Sequence, residues 1–325
     1  MNLESQIDIT AKPDIFVRPL QESDLPAADR IFRVAFGTFL GVPEPENFFG
    51  DASYVKTRWL ANRHAAFAAE INGEVVGSNF ATNWGSVGFF GPLTIRPDLW
   101  DKGVGKSLMN PVMELFGEWK TKHAGLFTFA HSPKHIGLYH KYGFCPRFLT
   151  AIMSKSVEPT KEASGWTTFS EATTDERAGI LESCCELTNT IYEGLNVEHE
   201  ISAVAAQNLG DTILLWDDSK LAGFAVCHRG AGTEAGTGAC YIKFAAARSG
   251  QTAEQDFNRL LDACEQSAAA EKLLRLVAGV NLGRYEAYRQ LLARGFRTDL
   301  QGVAMENPNE AGYNRPDVYL VDDWR

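Results

Sequence analysis

One short loop limits what this chain can fold into more than any other feature: Pro92-Leu-Thr-Ile-Arg-Pro-Asp-Leu-Trp-Asp-Lys-Gly-Val-Gly-Lys-Ser-Leu-Met109. An apolar strand runs into Gly103-Val104-Gly105, and a helix follows. Glycines at a helix start leave backbone N–H groups without intrahelical acceptors and let a ligand approach them closely. With the positive end of the helix dipole behind them, such amides form a site for a phosphate or pyrophosphate. The spacing is not that of a P-loop, because Gly-x-x-x-x-Gly-Lys is absent. The third glycine of a dinucleotide fingerprint is missing too.

The residues around the loop alternate between strand and helix patterns. Ile15–Leu20 reads as a strand, and Leu25, Ala28, Ile31, Phe32, Ala35 and Phe36 fall on one face of a helix capped by Ser23 or Asp24. Ala65–Ile71 and Val75–Ala81 flank Asn72-Gly73 and predict a hairpin. Val87–Ile95 predicts one further strand. Leu108, Val112, Leu115, Phe116 and Trp119 lie at helical spacing, with Pro111 expected to kink that helix or delay its start. A strand at Gly125–Ala130 and a helix at Lys134–Tyr142 follow, the latter ended by Gly143. The second half echoes this plan: a hairpin at Thr212–Trp216 and Leu221–Cys227, a strand at Tyr241–Ala247, a helix at Ala253–Glu271, a strand at Leu273–Val280, and a helix from about Arg284 ending at Gly295-Phe296. Asn307–Arg325 reads as a tail that packs on the body or on a partner.

Composition narrows the classes. With 325 residues, 45% hydrophobic and 22% charged, the chain can bury a large core without disulfides or metals. A formal net charge of −10 argues against nucleic-acid binding, which needs a surplus of Lys and Arg. The same charge favours a cationic ligand, such as a polyamine, an aminoglycoside-like amine or a basic peptide. No apolar run is long enough for a membrane span and the N-terminus does not read as a signal peptide, so the expected location is cytoplasmic. Six cysteines show no Cys-x-x-Cys pair and no metal-ligand spacing with His. They are expected to be buried thiols, and no metal is expected.

Two further segments sharpen the anion site. Leu93-x-Ile95-x-Pro97 leads into Asp98-x-x-x-x-Gly103-x-Gly105, and after the next strand comes Leu138-Tyr139-His-Lys-Tyr-Gly143-Phe144. This order resembles the GNAT superfamily of acetyl-CoA-dependent N-acetyltransferases over about residues 15–150, with a degenerate second copy over 167–306. The resemblance implies an α/β (α+β) fold of two tandem GNAT-like domains. Each would be a mixed, mostly antiparallel twisted sheet flanked by helices, with a splayed parallel strand pair. The expected division is 1–155, a linker at 156–166, a degenerate domain at 167–309 and a tail at 310–325.

The resemblance also assigns residues. The amides of Lys102, Gly103, Val104, Gly105 and Lys106 would bind the CoA pyrophosphate, with Ser107 adding a hydroxyl. Leu93, Thr94 and Ile95 would pair with pantetheine and hold the oxyanion. Ser132, at the usual Asn position, would also reach pantetheine. Tyr139 would protonate the departing thiolate. Tyr142 is a weaker candidate for that role. His131 stands where a base could meet the acceptor, with Glu70 or water as alternatives. Trp100 departs from the family's Arg or Gln, and His135 from its usual Ala. The second copy lacks both Gly-x-Gly and the tyrosine, since Ala245–Ala253 carries one glycine and Leu291 precedes Gly295. Acetyl-CoA is therefore expected in the first copy alone. The acceptor would be a small-molecule or peptide amine, and a homodimer is left open. The rival reading is a regulatory protein that holds acyl-CoA without turnover.

Overall fold

The computed structural model describes residues 14–158 and 164–325. Its elements are β1 (Phe16–Pro19), α1 (Leu25–Leu40), α2 (Val55–Ala61), β2 (Ala66–Ile71), β3 (Glu74–Trp84), β4 (Val87–Phe90), β5 (Thr94–Ile95), α3 (Val104–Glu118), β6 (His123–Thr128), α4 (Pro133–His140) and β7 (Cys145–Ser156). The series continues with β8 (Trp166–Thr168), α5 (Thr174–Ile191), α6 (Glu198–Gln207), β9 (Gly210–Asp217), β10 (Lys220–Gly230), β11 (Gly236–Ala247), α7 (Ala253–Ala270), β12 (Arg275–Asn281), α8 (Tyr285–Ala293), β13 (Arg297–Asn307) and β14 (Leu320–Val321). Apart from β5 and β14, the order from β1 to β7 recurs from β8 to β13.

The predicted hairpin is β2–β3. Asn72 and Gly73 both take positive φ, 52° and 81°, as a two-residue turn between twisted strands requires. Helix α3 packs one face of this sheet through Val104, Leu108, Met109, Val112 and Phe116. Helices α1 and α2 cover the other face, with Ala28, Phe32, Val55 and Trp59 buried there. Pro111 lies inside α3 without delaying its start.

One sequence expectation is corrected here. Val87–Ile95 is not one strand. It breaks at Gly91-Pro92 into β4, which pairs with β6, and β5, which turns back onto β3 at Gly77 and Ser78. Proline supplies no N–H to a ladder, so the break falls where pairing has to stop.

All the strands form one mixed sheet, with the path β1-β2-β3-β4-β6-β13-β7-β12-β11-β10-β9-β8. Each half gives its last long strand to the other. β13 inserts beside β6 (Met305 opposite Leu126), and β7 pairs with β12 (Ala278 opposite Met153). A buried pair crosses the first of these seams, with His123 Nε2 2.9 Å from Glu306 Oε2.

Candidate functional site

Parallel pairing of β4 with β6 ends at Phe89 opposite Gly125. Beyond that point the strands diverge, and a cavity of about 620 Å³ opens between the end of β5, the glycine loop and α4. Gly103, at φ 92°, turns the chain into α3. The N–H groups of Gly103, Val104, Gly105 and Lys106 have no acceptor among the described residues, and all four residues line the cavity. Lys102 stands outside it, and its N–H bonds Leu99 O at 3.4 Å. Ser107 also stands outside it, and its hydroxyl donates to Gly103 O at 3.5 Å. Trp100 shapes the loop instead of contributing a polar group. Its Nε1 donates to Ile95 O at 2.9 Å, and Lys134 lies 5.4 Å from its ring while reaching Asp101 at 2.7 Å.

Leu93, Thr94 and Ile95 all line the cavity. The Leu93 N–H has no acceptor among the described residues, so it is free to meet a carbonyl oxygen. Thr94 is buried with its hydroxyl 3.4 Å from that of Ser78. Ser132 is the N-cap of α4, where its Oγ accepts the His135 N–H at 3.4 Å.

Tyr139 lies on the inner face of α4, 7% exposed, and borders both this cavity and a second one. Its hydroxyl makes no hydrogen bond among the described residues. Burial pushes the phenol well above its ordinary range, so it stays protonated. Tyr142 is engaged elsewhere. Its hydroxyl lies 2.8 Å from Lys106 O and 2.9 Å from Asn110 Oδ1, which share its one proton, and this pins the turn after α4 to the start of α3.

The candidate bases fall in different places. Glu70 accepts from Arg18 Nε at 2.9 Å on the outer edge of the sheet. His131 is exposed and borders neither cavity, its ring 5.7 Å from that of Phe39. His135, one turn before Tyr139, borders both cavities. Its Nδ1 is buried without a partner, which leaves Nε2 as the nitrogen a ligand can reach. Burial, then the charges of Lys134 and His131, hold its pKa below the ordinary 6.5, so the ring is neutral at pH 7. In the sequence His135 stands out only as a departure from the alanine usual in the GNAT motif. Its i,i+4 spacing to Tyr139 was the available signal.

In the second half, β11 and β12 part beyond Ile242 opposite Ala278. The tail lies in the gap, with β14 pairing Ala245 and Ala246 of β11. Arg284, fully buried, binds Asp322 at 2.6 Å, and Asp323 lies against Gly279, where a side chain would collide with it.

A glycine-loop helix set over two diverging parallel strands is an arrangement that solved structures described as acetyltransferases share in fold. A Pyrococcus horikoshii protein described as an acetyltransferase is 14% identical with TM-score 0.67, over 94% of this chain and 93% of its own. A GCN5-related N-acetyltransferase from Sphaerobacter thermophilus is 15% identical with TM-score 0.61, over 91% and 96%. The glucosamine N-acetyltransferase region of a fungal multi-domain β-N-acetylglucosaminidase is 11% identical with TM-score 0.62, over 91% of this chain and 38% of that one. At these identities the likeness is one of fold. No curated protein matches the chain. Residues 29–144 match the model of the acetyltransferase (GNAT) family.

The loop geometry makes a prediction. Gly103→Val places a β-branched residue at positive φ, which costs ~1–2 kcal/mol. Relief of that strain withdraws the loop amides, so acetyl-CoA binding measured by calorimetry should weaken about tenfold. Unchanged affinity would remove the loop from the site.

Proposed function

We propose that the protein transfers an acetyl group from acetyl-CoA to a primary amine by direct attack. One observation carries this reading: the glycine-loop residues whose amides lack acceptors, Leu93 with its unpaired N–H, and Tyr139 all line one cavity. The loop amides would take the pyrophosphate, and the Leu93 N–H would hold the oxyanion as the carbonyl becomes tetrahedral.

Protons balance through two groups. The acceptor arrives as an ammonium and gives one proton to His135 Nε2, which passes it to solvent. The neutral amine attacks the thioester carbon, the C–S bond breaks, and the thiolate takes the Tyr139 hydroxyl proton. The new amide nitrogen sheds its second proton, which restores the phenol through solvent. This places the base at His135 rather than at His131.

Thermal-shift titration with acetyl-CoA, then thiol release over an amine panel, tests the reading. No stabilisation by acetyl-CoA refutes it, and stabilisation without thiol release from any amine supports the non-catalytic rival. In the wild type, kcat should fall on the acid side with a midpoint below 6.5, because the base must be neutral and its pKa is depressed. His135→Asn should lower kcat about 100-fold at pH 7 and abolish that limb. His131→Asn should keep it. An intact limb in His135→Asn would exclude His135 as the base.

A further inference from the structure

The second cavity, of about 300 Å³, begins at Tyr139 and His135 and runs between the two halves of the chain. Its walls come from both. Phe36, Phe49 and Tyr54 stand on the first-half side, with Phe49 and Tyr54 ring centroids 5.3 Å apart. Val277, Leu300 and Trp324 come from β12, β13 and the tail. The exchanged strands thus put second-half side chains within reach of the first half's reaction centre.

Charge in this cavity runs against the expectation drawn from net charge. The charged side chains along it are Arg275, Asp299 and Arg325. Arg325 already lies 3.2 Å from Asp323 and 4.4 Å from the Tyr241 ring centroid. Arg275 and Asp299, both exposed, stand at the rim with opposite signs. Aromatic faces can hold one ammonium, but a polyamine's remaining charges would find only Asp299. An amino sugar would bury its hydroxyls against rings with few polar partners, at a cost of ~1–3 kcal/mol for each one left unpaired.

We infer that this cavity is the acceptor site and that it takes a primary amine carried on a flat apolar body, with the second half of the chain supplying half of the specificity wall. This rests on the acetyl-transfer reading above. Burying one aromatic ring contributes ~1.5–3 kcal/mol, which corresponds to a preference of about 10- to 100-fold.

The test compares kcat/KM for 2-phenylethylamine, spermidine and glucosamine with acetyl-CoA on the full chain. The aryl amine should lead by about 10- to 100-fold. Leu300→Trp, at a half-buried wall position, and Val277→Phe should each raise KM for the aryl amine at least ~10-fold. Both variants should keep acetyl-CoA stabilisation, which shows that they fold. A lead by spermidine or glucosamine, or an unchanged KM in both variants, overturns the proposal while leaving acetyl transfer standing. Octanoyl-CoA outperforming acetyl-CoA, with that advantage lost in Leu300→Trp, would assign the cavity to the acyl chain and overturn it as well. Absence of thiol release with every amine would instead strike the underlying reading.

Discussion

Tyr139→Phe should lower kcat by about 100- to 10,000-fold, the range for loss of a positioned general acid, while KM for acetyl-CoA stays within about twofold. The substitution isolates chemistry from folding for a structural reason. The ring keeps its packing, including the edge contact with Phe90 at 5.6 Å, because phenylalanine retains it. The hydroxyl makes no hydrogen bond among the described residues, so no buried partner there is stranded by its removal. Melting temperature should therefore hold steady. Steady-state kinetics beside a melting curve checks both statements. Full turnover in the variant would show that the thiolate leaves without this proton, and a fall in stability would reveal a structural role for the hydroxyl.

Glu234→Gln should destabilise the fold by about 3–5 kcal/mol, the cost of breaking one side of a buried ion network. Glu234 is fully buried and binds Arg58 Nε at 2.9 Å and Lys243 Nζ at 3.0 Å. Glu200 lies 2.9 Å from the same Lys243. The neighbouring His228 is pushed down to about 4, chiefly by burial and then by Lys243, and stays neutral. Two cations therefore face two carboxylates, and the substitution leaves one buried positive charge in excess. Arg58 Nη1 also donates to Gly91 O at 2.6 Å, and its Nη2 donates to Arg325 O. Losing Glu234 thus loosens the break between β4 and β5 as well as the tail. A lower urea midpoint measures the effect, and Arg58→Met combined with Glu234→Met should recover part of it. The attraction of Arg58 and Lys243 outweighs burial and depresses the Glu234 carboxyl far below its ordinary 4.5. Its stabilising contribution is therefore complete above pH 4.5 and declines as the pH falls below that value. In Glu234→Gln this part of the acid sensitivity should vanish.

Local chemistry made much of the first half legible. The glycine loop, the Asn72-Gly73 hairpin and the apolar stripe of α3 each announce themselves over a few residues. The spacing that pointed to Tyr139 does so too, because Gly143 ends its helix. Pairing between distant strands leaves no such trace. Nothing near Arg297 says that its strand will lie beside β6, because register is decided by which neighbours complete the sheet. The break at Gly91-Pro92 was visible as a proline inside an apolar run, yet the run's hydrophobicity argued for continuity. His135 was hidden by comparison with a small residue, although its value lies in the turn it shares with Tyr139. Glu234 and Arg58 are 176 positions apart, and two ordinary charges at that separation give no sign of meeting in the core.

The tail lying on β11 divides the freedom to vary unevenly between the halves. In the first half, the opening beyond the β4–β6 pairing is a cavity, so bulkier side chains there meet open space. In the second, the matching space is already filled by the chain's own residues, and substitutions are judged only by how well they fit Val321, Asp322 and Asp323. One opening remains a cavity and the other is filled by the chain's own tail. Two halves of similar element order thus meet different packing demands within a single sheet.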